Sequence, residues 1–87
     1  MPTEIKGFIT DLHVHIAYCE GELYIPRERD VLHKKETYKI SNYVRVGFIT
    51  YNKNLINTIR KHDGEITLRG LFVNDGSNLI FEVREVA

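Results

Sequence analysis

Tryptophan is absent from this chain, cysteine and methionine occur once each, and proline occurs twice. A lone cysteine, Cys19, excludes an internal disulfide and with it the stapled small folds of oxidising compartments, so a reducing, cytoplasmic setting is the expectation. No apolar run approaches the roughly 20 residues that a membrane helix needs. Met1-Pro2-Thr3-Glu4 has no positive region leading into an apolar run, so no secretory signal is expected either. Net charge is zero, with twelve basic and twelve acidic side chains, which excludes a uniformly basic coat for nucleic acid. Catalytic signatures are missing too. There is no Gly-x-Gly-x-x-Gly or Walker-type glycine loop, no Cys-x-x-Cys, no His-x-x-x-His, and no carboxylate pair placed by spacing for acid–base work. The expectation is a non-enzyme with no cofactor and no metal.

What remains is an ordinary globular composition, 43% hydrophobic and 28% charged over 87 residues. That makes one domain, 1–87, with a small core; a chain of this size buries only about 60% of the surface it exposes when unfolded. There is no low-complexity tract and no internal repeat.

Most of the chain has a period of two. Residues 4–18 are rich in β-branched and aromatic side chains. From Phe8 onward the even positions Phe8, Leu12, Val14, Ile16 and Tyr18 are the more apolar, which predicts a long strand with those residues on one face. Ile5 breaks the parity, and Gly7 beside it predicts a bulge or bend. Cys19-Glu20-Gly21-Glu22 reads as a turn. Leu23 and Ile25 then alternate with polar neighbours in a short second strand that Pro26 ends or confines to an edge. Residues 27–37 read as a polar loop, with Val31-Leu32 as a small lid or helical turn inside it. Residues 38–50 form the clearest strand: Ile40, Val44, Val46 and Phe48 share one face, with Asn42 as the exception, and Lys39, Ser41, Tyr43, Arg45 and Ile49 share the other.

The period changes over 52–62. Leu55, Ile56 and Ile59 lie at helical spacing, Asn52 or Asn54 can cap the start, Arg60 and Lys61 suit the negative end, and Gly64 can end the helix in a left-handed conformation. The period of two returns over 65–73 and 78–86, joined at Val73-Asn74-Asp75-Gly76-Ser77 by a hairpin turn. Ile66, Leu68 and Phe72, with Gly70 in the same register, alternate against Glu65, Thr67, Arg69 and Leu71 in the first of these strands, and Leu79, Phe81 and Val83 lie opposite Ile80, Glu82 and Arg84 in the second.

Charge is unevenly distributed. Residues 1–26 carry −3, residues 27–53 carry +4 and residues 54–87 carry −1. In the basic middle third, cations interleave with tyrosines. Single-stranded nucleic acid is held by flat rings on which bases stack, beside cations that follow the phosphates. The candidate residues are Tyr24, Tyr38 and Tyr43 for stacking and Arg27, Arg29, Lys34, Lys35, Lys39 and Arg45 for phosphate. The plain alternative is a solvated loop and an ordinary sheet surface.

Two other strings have chemical potential. Asp11-Leu12-His13-Val14-His15 resembles the metal-binding strand that opens amidohydrolase and metal-dependent phosphoesterase barrels, and His13 and His15 would point the same way on a strand. Such a barrel needs about 250 residues, and its further ligands come from later strands, so two half-exposed histidines are expected instead. Cys19, read at a turn beside Glu20, lacks the electropositive setting of a thiolate nucleophile.

The order of elements resembles the OB fold, the oligonucleotide/oligosaccharide-binding barrel: a long bent strand, two more strands, a helix and a closing hairpin. The likeness spans roughly 4–86. It is most specific where Asp63-Gly64-Glu65-Ile66-Thr67-Leu68-Arg69-Gly70 follows the helix, as in the Gly-x-Ile-x-Leu-x-Gly strand of replication- and tRNA-binding barrels. The resemblance implies an all-β Greek-key barrel of five strands with one short helix between strands three and four. It also implies a binding face over strands two and three, flanked by loops placed here at Cys19–Glu22 and Asn74–Asn78. The expectation is therefore a non-catalytic binder of single-stranded DNA or RNA. The alternative is a protein-interaction or homodimeric assembly module, cued by zero net charge and by outward Ile49, Leu71, Val73 and Ile80.

Overall fold

A computed structural model describes residues 3–87, with the backbone alone for Ile40. The elements are β1 (Thr3–Val14), β2 (Cys19–His33), β3 (Glu36–Thr50), α1 (Lys53–Lys61), β4 (Ile66–Asp75) and β5 (Asn78–Val86). The strands close into a barrel in the order β1-β2-β3-β5-β4. All neighbours are antiparallel except β3 and β5, which meet in parallel at Phe48↔Phe81 and Ile49↔Glu82. The chain has the expected five-stranded barrel, with its helix between β3 and β4.

β1 belongs to both sides of the barrel. Thr3–Gly7 pairs with β4, and Phe8–Val14 pairs with β2. Gly7 sits at the changeover and is buried; a Cβ there would overlap the Tyr24 carbonyl, so only a hydrogen fits. The bulge expected at Gly7 lies three residues later, between Ile9 and Asp11. It moves the inward face from odd to even positions. Ile5, Ile9 and Leu12 pack on the core, while Phe8, Val14 and Ile16 are exposed. That extra residue takes Phe8 off the even-numbered face; Val14 keeps the inward side with Leu12, opposite buried Cys19, but is exposed at the end of the strand, and Ile16 lies in the turn beyond it.

The core is Leu23, Phe48, Ile59, Ile66, Leu68, Phe81 and Val83, with Ile25, Val46, Leu55 and Val86 against it. α1 closes one end through Ile56 and Ile59. Asn52 caps it, its side-chain oxygen accepting from the Asn54 N–H at 3.0 Å, and Arg60 and Lys61 lie in its last turn. Gly64 is left-handed (φ 83°), two residues beyond the His62 cap. The buried Thr50 hydroxyl ties helix to barrel: it donates to the Val83 carbonyl at 3.2 Å and accepts from the Asn52 N–H at 3.3 Å.

Three boundaries differ from the sequence reading. Cys19–Glu22 is not a turn: β2 begins at Cys19, which is fully buried, and the β1–β2 turn lies at 15–18, closed by the His15 N–H donating to the Tyr18 carbonyl at 2.8 Å. Residues 27–37 are not a loop, and Val31-Leu32 is neither lid nor helix. β2 and β3 stay paired from Cys19↔Thr50 out to His33↔Glu36. The result is an arm that runs past the barrel and gives the molecule a long dimension of 55 Å against 31 and 24 Å. Pro26 stays in the strand, opposite Tyr43. β1 stops pairing with β2 at Tyr24, so the side of Pro26 away from β3 is an edge, where a missing N–H is tolerated. The β4–β5 turn is only Gly76-Ser77, with Gly76 at φ 66°.

Candidate nucleic-acid interface

The β2–β3 ribbon has two faces, and registry assigns each candidate residue to one of them. Leu23 and Ile25 point into the core, so Arg27 and Arg29 continue that face, opposite Asn42 and Ile40. This explains Asn42, the polar exception on the apolar stripe of β3: by that point the stripe has left the barrel, and Asn42 is exposed. Tyr38 shares this inner face. Tyr24, Lys39, Tyr43 and Arg45 lie on the outer face, as the spacing in β3 required. Lys34 and Lys35 form the two-residue turn at the tip. The nine candidates are thus not one cluster; the structure divides them among an outer wall, an inner wall and a tip.

The outer wall carries the tightest group. The Tyr24 and Tyr43 rings are stacked, with centroids 5.0 Å apart and planes 27° from parallel, and the Arg45 guanidinium lies 5.3 Å from the Tyr43 centroid. Such a ring pair contributes about 0.5–1.5 kcal/mol beyond its buried area, enough to pre-orient flat surfaces that remain accessible. Tyr43 is 48% exposed. Acids moderate the cations of this wall: Arg45 meets Glu22 at 3.6 Å and Lys39 meets Glu28 at 3.7 Å. Both pairs are surface pairs, weak enough to exchange for phosphate.

The inner wall is the more electropositive. Among the described residues, neither Arg27 nor Arg29 has an acid within ion-pair distance. They line a cleft of about 620 Å³ together with Asn42 and, from the other face, Pro26 and Glu28. The cleft therefore straddles the free edge of β2 and joins the two walls. Tyr38, 49% exposed, donates its hydroxyl to Glu36 at 2.6 Å, a bond to the protonated phenol that holds its pKa above the usual value. At the tip, Lys34 and Lys35 both have left-handed backbones (φ 52° and 69°), the geometry of a tight hairpin turn that usually uses asparagine and glycine.

Sequence reasoning read the β3 limb of the arm as part of the strand 38–50 but missed the β2 limb, because residues 27–30 are exposed and apolar residues do not alternate along them. A different period of two was present. Arg27-Glu28-Arg29-Asp30 alternates in sign, placing both bases on one face and both acids on the other. The aromatic cluster His15, Tyr18 and Tyr51 at the opposite end of the ribbon was also outside the candidate set.

His13 and His15 stay near the surface. His13 leaves the barrel wall and meets Asp11 at 3.1 Å, while His15 lies beyond the strand and meets Glu20 at 3.2 Å. Among the described residues, no group of three His, Cys, Asp or Glu side chains is gathered as a metal site. Burial raises the Cys19 thiol pKa; Arg60 pulls it down and Glu20 pushes it up. Cys19 is a core residue in a place that favours the protonated thiol.

No family model and no curated protein matches the chain. Among solved structures it is similar to a Plasmodium falciparum SSB in complex with single-stranded DNA, with a TM-score of 0.58 at 10% identity, over 94% of this chain and 84% of that one. The likeness is one of fold, and with the strand order above it makes this chain an OB-fold barrel.

Proposed function

We propose that this chain is a non-catalytic binder of single-stranded nucleic acid, and that the β2–β3 arm is its platform. The observation that carries this reading is the stacked Tyr24–Tyr43 pair, half-buried at Tyr24 and exposed at Tyr43, with Arg45 over it, on the wall where an OB barrel presents its ligand face. Bases stack on the outer wall. Phosphates follow Lys39 and Arg45, cross the β2 edge to Arg27 and Arg29, and reach Lys34 and Lys35 at the tip; Tyr38 offers a further ring on the inner wall. The single-stranded DNA of the structural neighbour supports the ligand class. Nothing in these contacts reads base edges, so the expected binding is tolerant of sequence and includes DNA and RNA. A fluorescence-anisotropy titration with mixed-sequence DNA and RNA oligonucleotides tests it. Affinity should fall with rising salt, each neutralised phosphate adding about 0.7 to the log–log slope. Absence of binding at low salt and tens of micromolar protein removes the reading.

One observation favours a second reading, an assembly module. Val73 pairs with Ile80, and Leu71 and Ile49 flank Glu82 on the same outer face, so four apolar side chains gather around one carboxylate across β3, β5 and β4. Sedimentation over a range of concentrations, showing a rising mass without oligonucleotide affinity, would favour it over the first.

A further inference from the structure

The outer face of the β2–β3 ribbon continues past the Tyr24–Tyr43 pair toward the helix end of the barrel. Cys19 and Thr50 are paired and both buried. Their neighbours Tyr18 and Tyr51 therefore emerge on the same face as Tyr24 and Tyr43. There His15 stacks on Tyr18, with centroids 4.5 Å apart and planes at 25°, and Tyr18 leans on Tyr51 at 6.1 Å. The β1–β2 turn holds this group in place through the His15 N–H bond to the Tyr18 carbonyl. Tyr51 is 61% exposed and borders a second cleft of about 270 Å³, whose rim carries Arg84 paired with Glu82 at 3.1 Å. The stacked His15–Tyr18 pair, half-buried at Tyr18, and the exposed Tyr51 ring tilted beside it offer flat surfaces of the kind that make up the arm's platform.

We infer that His15, Tyr18 and Tyr51 form a second base-stacking station, reached by the same single strand of nucleic acid that occupies the Tyr24–Tyr43 station. This inference rests on the proposed function. Tyr18 directly precedes β2 and lies six residues before Tyr24, so the stations are separated by ~20 Å of extended chain. The floor between them is Gly47 and Ile49 on β3, with Glu20 and Glu22 on β2. Glu22 is drawn to Arg45 and Glu20 to His15, which turns both carboxylates toward protein groups and leaves a shallow floor suited to bases. At the ~3.4 Å spacing of a stacked strand, the gap corresponds to about six nucleotides, within the roughly 4–16 nucleotides that a barrel of this kind accommodates. Shorter oligomers engage one station at a time, and longer ones engage both.

The test is a length series of oligothymidylates of four, eight, twelve and sixteen residues, titrated against the unaltered protein, Tyr51→Ala, Tyr51→Phe and Tyr43→Ala, with circular dichroism confirming the fold of each. The unaltered protein should show a step in affinity between four and twelve residues. Tyr51→Ala should remove that step and weaken the twelve-residue oligomer by about 5- to 100-fold, while Tyr51→Phe, which keeps the ring, retains it. If Tyr51→Ala leaves the longer oligomers unchanged while Tyr43→Ala weakens them, the second station is overturned and the first stands. If no oligomer binds any of the proteins, the underlying reading falls and this one with it.

Discussion

Leu23 and Arg29 lie six residues apart on the same face of the same strand. Leu23 has no exposed surface and touches the centre of the barrel; Arg29 stands in solvent. The backbone pairing is continuous between them, from Leu23↔Val46 to Arg29↔Ile40. The strand therefore passes from a closed cylinder, where every alternate side chain adds burial, to a two-stranded ribbon held by hydrogen bonds and cross-strand pairs. An isolated ribbon of that kind is marginal in water. The comparison separates two jobs that one hairpin performs. The barrel end sets the fold, and the arm end, nearly free of core, is available for chemistry and for ordering by a ligand.

That division predicts where substitutions matter. The largest effect belongs to the barrel: Phe48→Ala should lower stability by about 3–5 kcal/mol in urea unfolding, whereas Leu32→Ala on the arm, where Leu32 is 73% exposed, should change it by no more than about 0.5 kcal/mol. Gly70→Ala comes next, since an added Cβ would overlap the Glu82 backbone where β4 meets β5. A loss of about 1–3 kcal/mol is expected in the same assay. Tyr43→Ala reverses the contrast, costing the fold no more than about 0.5–1.5 kcal/mol, the contribution of the ring pair, and weakening oligonucleotide binding by about 1–3 kcal/mol in anisotropy. If its effect fell on stability instead, the arm would be part of the core after all.

Smaller effects sharpen the picture. Replacing Lys34-Lys35 by Asn-Gly relieves two left-handed lysines, each strained by about 1 kcal/mol or more. Amides between 27 and 42 should then exchange about 30-fold more slowly, with the global midpoint unmoved because the arm opens locally. Cys19 gives the last test. Its raised pKa in the folded state, against an ordinary 9.0, means that the unfolded chain releases the thiol proton first as pH rises. The stability this contributes is full below that ordinary value and declines as pH climbs toward the folded one. Urea midpoints should therefore fall between pH 8 and 10, and Cys19→Ala should flatten the decline.

Much of the barrel could be read from residue order because its signals are local and chemical. Asn52 caps, Ile56 and Ile59 face inward, Gly76 turns a hairpin, and Ile66, Leu68 and Phe81 alternate as a half-buried sheet must. The rest depended on events with no apolar signature. One extra residue near Thr10 reverses which side chains of β1 face inward, and nothing in residues 8–12 announces it. The β2 limb of the arm escaped because periodicity arguments detect burial, and Arg27–Asp30 is buried on neither side. Of the candidate site, Lys39, Tyr43 and Arg45 were legible as one face from the spacing in β3, while Tyr24 joins them only through the pairing of β2 with β3. Separating them from Arg27, Arg29 and Tyr38 required knowing that β2 does not stop at Pro26.

β1 joins the start of the described chain to its last third, with Thr3 beside Gly70 and Phe8 beside Tyr24. Contacts so distant along the polypeptide form slowly, because a long loop must be closed before they return any free energy. The arm, whose two limbs are adjacent in sequence, zips within microseconds. During folding, then, the β2–β3 ribbon is expected to take shape early, and the clasp that seals the cylinder beneath it to shut last.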